Sequence, residues 1–283
     1  MSTPRPSLAP ASTGSPGSVL SGLLAAAHFG PTVAVTLITG LLAVAGDLST
    51  ARVVVVTAAV FTGQLTIGWA NDLIDADRDR SVGRTDKPIA SGQVPQSLVQ
   101  GALATAAVAC VILSAAAGWR TALVHLGLVV AMGQAYNLGL KATVWSWVPY
   151  AVAFGSLPAV VSLAAEDPAL APWWLLAAGA TLGVGAHLLN ALPDLVDDEA
   201  TGVRGLPHVL GARHSRLLAA LLLAVASLAA GLGPAGAPSA FVLAGLALGA
   251  VLLAVTVLGR GRLPFQAAMA LALVDVVLLV AAG

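Results

Sequence analysis

Residues 71–79 read Asn71-Asp72-Leu73-Ile74-Asp75-Ala76-Asp77-Arg78-Asp79 and close a long apolar run. A second stretch, Asn190-Ala191-Leu192-Pro193-Asp194-Leu195-Val196-Asp197-Asp198-Glu199, closes another. Eight of the thirteen acidic residues lie in these two stretches, in a chain that is 58% hydrophobic and 9% charged. Ionisable groups at the edge of apolar spans are costly and mark function. On a helix, residues three or four apart share a face. Gln64, Gly68, Asp72, Asp75 and Asp79 therefore form one column, and His187, Asn190, Asp194 and Asp198 a second. Asn71 lies one turn from Asp75. Such oxygen donors suit Mg²⁺, which keeps several waters and bridges substrate phosphates. Two facing columns at a membrane surface point to a bound divalent metal and a phosphorylated substrate.

Composition sets the frame. A mean hydropathy of +0.92 over 283 residues excludes an ordinary soluble domain. The net charge of zero implies no nucleic-acid surface. Cys110, the single cysteine, sits in an apolar run, which excludes an internal disulfide and a metal–thiolate site. Nothing in the chain calls for an obligatory protein partner. Residues 1–18, rich in Pro, Ser, Thr and Gly, are expected to form a disordered cytoplasmic tail, and 19–283 a single transmembrane domain.

Nine hydrophobic spans are expected, at about 20–46, 52–74, 97–118, 121–140, 144–164, 172–193, 215–233, 239–259 and 263–281. A bilayer takes roughly 20 apolar residues per helix, and runs this long and Ala/Leu-rich exclude barrel strands. The fold class is all-α and polytopic. Pro31, Pro149 and Pro158 fall inside spans and are expected to kink them. The loops after even-numbered spans hold Arg78, Arg80, Arg84, Lys87, Lys141, Arg204, Arg213, Arg216, Arg260 and Arg262. Those after odd-numbered spans hold only Arg52 and Arg120. By the positive-inside rule the N-terminus and both acidic stretches face the cytoplasm.

Basic side chains near the acids serve as candidate diphosphate contacts: Arg78, Arg84, Lys87, Lys141 and Arg204. Each could instead act only as a topology signal. Lys141 shares a face with Gln134 and Asn137, and Tyr136 is one of only two tyrosines. Asp275 is an isolated acid in the last span, placed to pair with His28 or to face a cavity.

These residues resemble the UbiA superfamily of intramembrane prenyltransferases. Asn71, Asp72, Asp75 and Asp79 match its NDxxDxxxD motif, and Asp194 with Asp198 its DxxxD motif. Lys87-Pro88-Ile89-Ala90-Ser91-Gly92 is similar to RP(I/L)xSG, and Tyr136 with Lys141 to YxxxxK. The resemblance implies a nine-helix bundle around a central cavity, in an integral protein of the cell membrane. It implies two Mg²⁺ ions, held by Asn71, Asp72, Asp75, Asp79, Asp194 and Asp198, which clamp a polyprenyl diphosphate donor. The prenyl group then passes to a lipophilic, aromatic acceptor. Asp72, Asp75, Asp194, Asp198 and Lys141 become the expected catalytic residues. Gln64, Arg78, Arg84, Lys87, Tyr136, Asn137, Lys141, His187, Asn190 and Arg204 become the expected substrate contacts. Many relatives that use aromatic acceptors carry an Arg near the start of the first helix, where this chain has His28.

Two other readings compete. A UbiA-type terpene cyclase would make the same cation and trap it within the donor. An aromatic content of 5% counts against a cavity that steers cations over rings, although Trp69, Trp145, Trp147, Tyr150 and Phe154 could line one. An ion-coupled transporter would place its acids nearer the midplane.

Overall fold

The computed structural model describes residues 16–282. The described residues form helices and loops, with no strand among them. Ten helices follow one another: α1 (Pro16–Ala26), α2 (Phe29–Ala45), α3 (Thr50–Ser81), α4 (Gln96–Ala117), α5 (119–137), α6 (Val148–Ser162), α7 (Trp173–Ala200), α8 (Leu206–Leu232), α9 (Ala240–Leu258) and α10 (Leu263–Ala282). Six of them are long and apolar enough to cross a bilayer, and the bent α1–α2 pair taken as one span makes seven.

The expected nine helices become ten because the first span, 20–46, is broken in two, and α6, at 15 residues, is shorter than a full span. α1 and α2 meet at 65°. His28 sits at the break in the left-handed region, at φ 50°. The break is fastened to α3: Trp69 Nε1 donates to the Leu23 carbonyl at 3.0 Å. A Cβ on Gly68 would lie 2.4 Å from the Ala27 carbonyl oxygen, so only glycine lets α3 approach this closely. Thr32 Oγ1 donates to that same carbonyl at 2.8 Å. The tail expected over 1–18 lies outside the described residues up to 15, and α1 begins at Pro16.

Of the three prolines expected to kink spans, only Pro158 lies beyond the first turn of its helix. Pro31 and Pro149 fall in the first turns of α2 and α6, where a missing N–H costs no hydrogen bond. α5 carries a π-helical turn at His125–Val130, and α8 is broken at Gly211, φ 74°.

One apolar cluster joins α2, α3, α5, α6 and α10 through residues such as Val35, Val60, Val129, Val160 and Val276. Another joins α7, α8 and α10 through Leu188, Leu223 and Leu271. Both bring small residues into tight contact, as in lipid, where packing rather than water exclusion holds helices together. α3 runs on beyond its apolar stretch, so the first acidic stretch extends the helix. α7 instead tightens into a 3₁₀ turn at Leu192–Asp194, where Pro193 offers no N–H, and resumes at Leu195–Ala200.

Candidate active site

A cavity of about 280 Å³ opens between the ends of α3 and α7. On α3 it is lined by Gln64, Gly68, Asn71, Asp75 and Asp79, each three or four residues from the next. On α7 it is lined by His187, Asn190, Asp194 and Asp198. The two acidic stretches thus face one another across one space, although Asp79 and Asp194 are 115 residues apart in sequence.

Asp72 does not line that space. Its side chain is 2% exposed and turned aside: Oδ1 accepts from Lys87 Nζ at 2.8 Å and lies 3.3 Å from His28 Nε2. Asn71, its neighbour, faces the cavity, while Asp72 is held off it by Lys87 and His28. The cavity column is Asn71–Asp75–Asp79, not the Asp72–Asp75–Asp79 column expected from spacing.

The remaining charges pair across the cavity. Lys141 Nζ donates to both Asp75 oxygens, at 2.5 and 2.6 Å. Arg78 reaches Asp75 Oδ2 at 3.0 Å. Arg84 lies 2.8 Å from Asp86 and 3.4 Å from Asp194, tying the loop after α3 to the second acidic stretch. Burial pushes the Lys141 ammonium below its ordinary value, with Asp75 opposing. The hydrogen bond from Arg84 draws the Asp86 carboxyl down to about 2 and holds the guanidinium above its ordinary value. Asn71 Nδ2 donates to Asn137 Oδ1 at 3.0 Å, and Asn137 Nδ2 donates to the Ile67 carbonyl at 2.9 Å. Arg204 stands apart, 67% exposed and 3.4 Å from Glu199.

Below the charges the wall turns aromatic. Tyr136 and Tyr150 meet edge to face at 5.2 Å, Tyr150 stacks on Phe154 at 6.1 Å, and His187 lies 4.7 Å from Tyr150. His187 Nε2 pairs with Ser146 Oγ at 3.0 Å, and Ser146 Oγ also accepts from the Leu206 amide. Of the aromatic residues weighed from sequence, Tyr150 and Phe154 line the cavity, whereas Trp69, Trp145 and Trp147 do not. Asp275 accepts from Ser227 at 2.9 Å and does not meet His28. Sequence spacing missed Pro31, His208, Phe265 and Met269 on the cavity wall. The α10 residues belong to an apolar helix with no polar periodicity to mark one face.

Residues 32–281 match the UbiA prenyltransferase family. The chain belongs to that family. A curated relative, the 4-hydroxybenzoate octaprenyltransferase of Pseudoalteromonas atlantica (strain T6c / ATCC BAA-1087), is 31% identical over 167 residues, or 58% of each chain. The chain therefore spans about 58% of the length of the curated relative it matches. The structure of a UbiA homologue from Aeropyrum pernix K1 superposes with a TM-score of 0.73 at 20% identity, over 89% of this chain and 98% of that one. The UbiA homologue from Archaeoglobus fulgidus bound to GPP and Mg²⁺ gives 0.65 at 16% identity, over 92% and 99%. Family and apolar helices together make this UbiA protein an integral membrane protein.

The cavity donors of this UbiA protein fit Mg²⁺. The carboxylates of both walls and Asn71 offer oxygen, and Asp79 Oδ2 is buried without a hydrogen-bond partner, as is Asp72 Oδ2 off the cavity lining. Among the described residues no three His, Cys, Asp or Glu converge on one point. Mg²⁺ is commonly bound by one or two carboxylates, with waters and substrate phosphates completing its shell, so two separated acidic pairs are a suitable donor pattern.

Proposed function

We propose that the protein is a Mg²⁺-dependent prenyltransferase that ionises a polyprenyl diphosphate and passes the prenyl group to a lipophilic, aromatic acceptor. The observation that carries this reading is the pairing of two acidic walls across one cavity whose deeper part is apolar and aromatic. Asn71, Asp75 and Asp79 would hold one ion and Asp194 and Asp198 a second. Bound Mg²⁺ would supply charge neutralisation on the leaving diphosphate. Lys141, Arg78, Arg84 and Lys87 then contribute donors aimed at the same developing charge. Gln64, Asn137 and Asn190 line the passage between the charged mouth and the apolar interior. Tyr136, Tyr150 and Phe154 offer ring faces to the allylic cation and exclude water from it. Asp72 positions Lys87 and His28 rather than holding metal.

The acceptor class rests on the name of the curated relative, a 4-hydroxybenzoate octaprenyltransferase. The donor and metal rest on the bound GPP and Mg²⁺ of the Archaeoglobus fulgidus homologue. The basic loops support a cytoplasmic mouth in the cell membrane. The test uses purified protein in lipid nanodiscs, given prenyl diphosphates with and without 4-hydroxybenzoate and other phenols. Prenylated acceptor should form with Mg²⁺, cease on chelation and return when Mg²⁺ is restored. Cyclised hydrocarbon formed from the donor alone would replace this reading with the cyclase, and the absence of any metal-dependent product would reject both.

A further inference from the structure

His187 on α7 has a hydrogen-bonding group that the metal–diphosphate reading leaves unused. The residue lines the cavity and is 1% exposed. Its Nε2 lies 3.0 Å from Ser146 Oγ, in the loop before α6, and its Nδ1 is buried with no hydrogen-bond partner. Ser146 is fully buried, and its Oγ also accepts from the amide of Leu206, the first residue of α8, at 2.9 Å. A hydroxyl has one proton to give. Among the described residues, the acceptor within its reach is His187 Nε2. An accepting Nε2 puts the proton of the neutral ring on Nδ1. The chain of bonds then runs one way, from the Leu206 N–H through the Ser146 O–H to His187. It ends on an N–H that no described residue receives.

The surroundings decide what could receive it. Tyr150 lies 4.7 Å from the imidazole and Tyr136 5.8 Å, centre to centre. Their hydroxyls bond each other, and Tyr150 also bonds Asn190, so these polar ends are turned to one another. His187 stands seven residues before Asp194, roughly 10 Å inward at 1.5 Å per residue. A donor at that depth, framed by rings, suits an oxygen on an aromatic molecule rather than a diphosphate held at the acidic mouth. A buried N–H left unpaired forfeits its hydration, so a ligand oxygen that meets it is strongly selected. We propose that His187 Nδ1–H binds an oxygen substituent of the aromatic acceptor, with Ser146 fixing the ring for that task. The inference rests on the aromatic-acceptor reading above. It also sets a limit: with its proton already on Nδ1, His187 holds that oxygen and takes no proton from it.

The test is a binding cycle on the full chain in nanodiscs, with Mg²⁺ and inorganic diphosphate present to occupy the mouth. Titration calorimetry compares 4-hydroxybenzoate with benzoate, which differ only in the ring hydroxyl. The wild type should bind 4-hydroxybenzoate about fivefold or more tightly than benzoate, the scale of one hydrogen bond. In His187→Phe that ratio should fall to about twofold or less. His187→Asn keeps an N–H donor near the place of Nδ1 and should restore part of the ratio. Ser146→Ala keeps the ring but frees its tautomer. It should shrink the ratio less than His187→Phe does, and it carries the test if His187→Phe does not fold. A purely structural role would shift both ligands together and leave the ratio unmoved. A wild-type ratio near one, or a ratio unchanged in the variants that fold, overturns the inference. Prenyl transfer to 4-hydroxybenzoate is assayed in parallel. Product formed without a His187-dependent ratio removes this role and leaves the prenyltransferase reading intact. A His187-dependent ratio without product keeps the oxygen site and removes the prenyltransferase reading.

Discussion

Asp72 Oδ1 lies 2.8 Å from Lys87 Nζ and 3.3 Å from His28 Nε2, so the first carboxylate of the first acidic stretch turns away from the cavity that Asp75 and Asp79 line. Lys87 Nζ also lies 3.4 Å from His28 Nε2, so the three side chains form one cluster. The pair of contacts fixes a lysine and a histidine at the cavity wall where α1 breaks into α2.

Asp72→Ala and Asp75→Ala should therefore fail differently. Asp75→Ala should raise the Mg²⁺ concentration for half-maximal turnover by about tenfold or more, as removal of a metal-site oxygen does. Asp72→Ala should leave the Mg²⁺ requirement close to that of the wild type and raise the donor KM by about tenfold, through loss of a charge-assisted bond to Lys87. Lys87→Ala should reproduce it, and the double variant should be no worse than either. Equal Mg²⁺ shifts in the two Asp variants would return Asp72 to the metal site.

Lys141 is held against Asp75 and turned to the cavity, where the donor diphosphate would displace the carboxylate. Lys141→Ala should weaken donor use by about 1.5–3 kcal/mol, the scale of a hydrogen bond to a charged group, and Lys141→Arg by less. Arg204, exposed and paired with Glu199, serves as the comparison. Donor kinetics in Lys141→Ala that match those of Arg204→Ala would reduce Lys141 to a topology signal.

Side-specific labelling checks the orientation. The lone native cysteine, Cys110, is buried, so a cysteine at exposed Ser81 reports alone. It should react with a membrane-impermeant maleimide only after the cells are permeabilised. Reaction in intact cells would put the mouth outside.

The α1–α2 break depends on Gly68. Gly68→Ala drives a Cβ to within 2.4 Å of backbone and should cost about 1–3 kcal/mol, the usual scale of overpacking. Gly101→Ala, exposed on α4 with nothing within 4 Å, should be neutral or stabilising by up to about 1 kcal/mol. Thermal unfolding in detergent checks both, and similar midpoints for the two variants would remove Gly68 from this role.

The Arg84–Asp86 pair sets an acid limit. Arg84 depresses the Asp86 carboxyl from an ordinary value near ~3.9 to about 2. Its stabilisation is then present above pH ~4 and lost as pH falls through about 2. Asp86 is half exposed, so the effect should stay under ~1 kcal/mol. In Asp86→Asn that acid-dependent loss should vanish from unfolding curves taken across this window.

Much of this architecture was legible in the chain. Long apolar runs located most helix ends from 50 onward to within a few residues, but α3 runs on to Ser81, α7 to Ala200 and α8 begins already at Leu206, because helix continues into polar sequence that hydropathy leaves out. Periodicity brought Asp75, Asp79, Asp194 and Asp198 to one cavity. It failed at Asp72, because spacings of three and four both satisfy a helical face and only the partners Lys87 and His28 decide the rotation. At 27–28 the kink expected from Pro31 became a full break, with Pro31 in the first turn of α2 and α3 packed against Ala27. Arg204 could not be told from its neighbours by charge alone. The wall contributed by α10 was silent, since an apolar helix in lipid is apolar on every side.

Every basic side chain at the mouth already has a carboxylate partner: Lys87 with Asp72, Lys141 and Arg78 with Asp75, Arg84 with Asp194 and Asp86. Loading such a mouth is a double exchange of ions. A divalent cation arriving alone must strip carboxylates from ammonium and guanidinium groups that then have nothing to face. A diphosphate arriving alone strands the carboxylates. Supplied together, each newcomer would take the partner the other sets free, so on the proposed function the resting pairs would act as an internal salt that favours the metal–diphosphate complex over either of its ions.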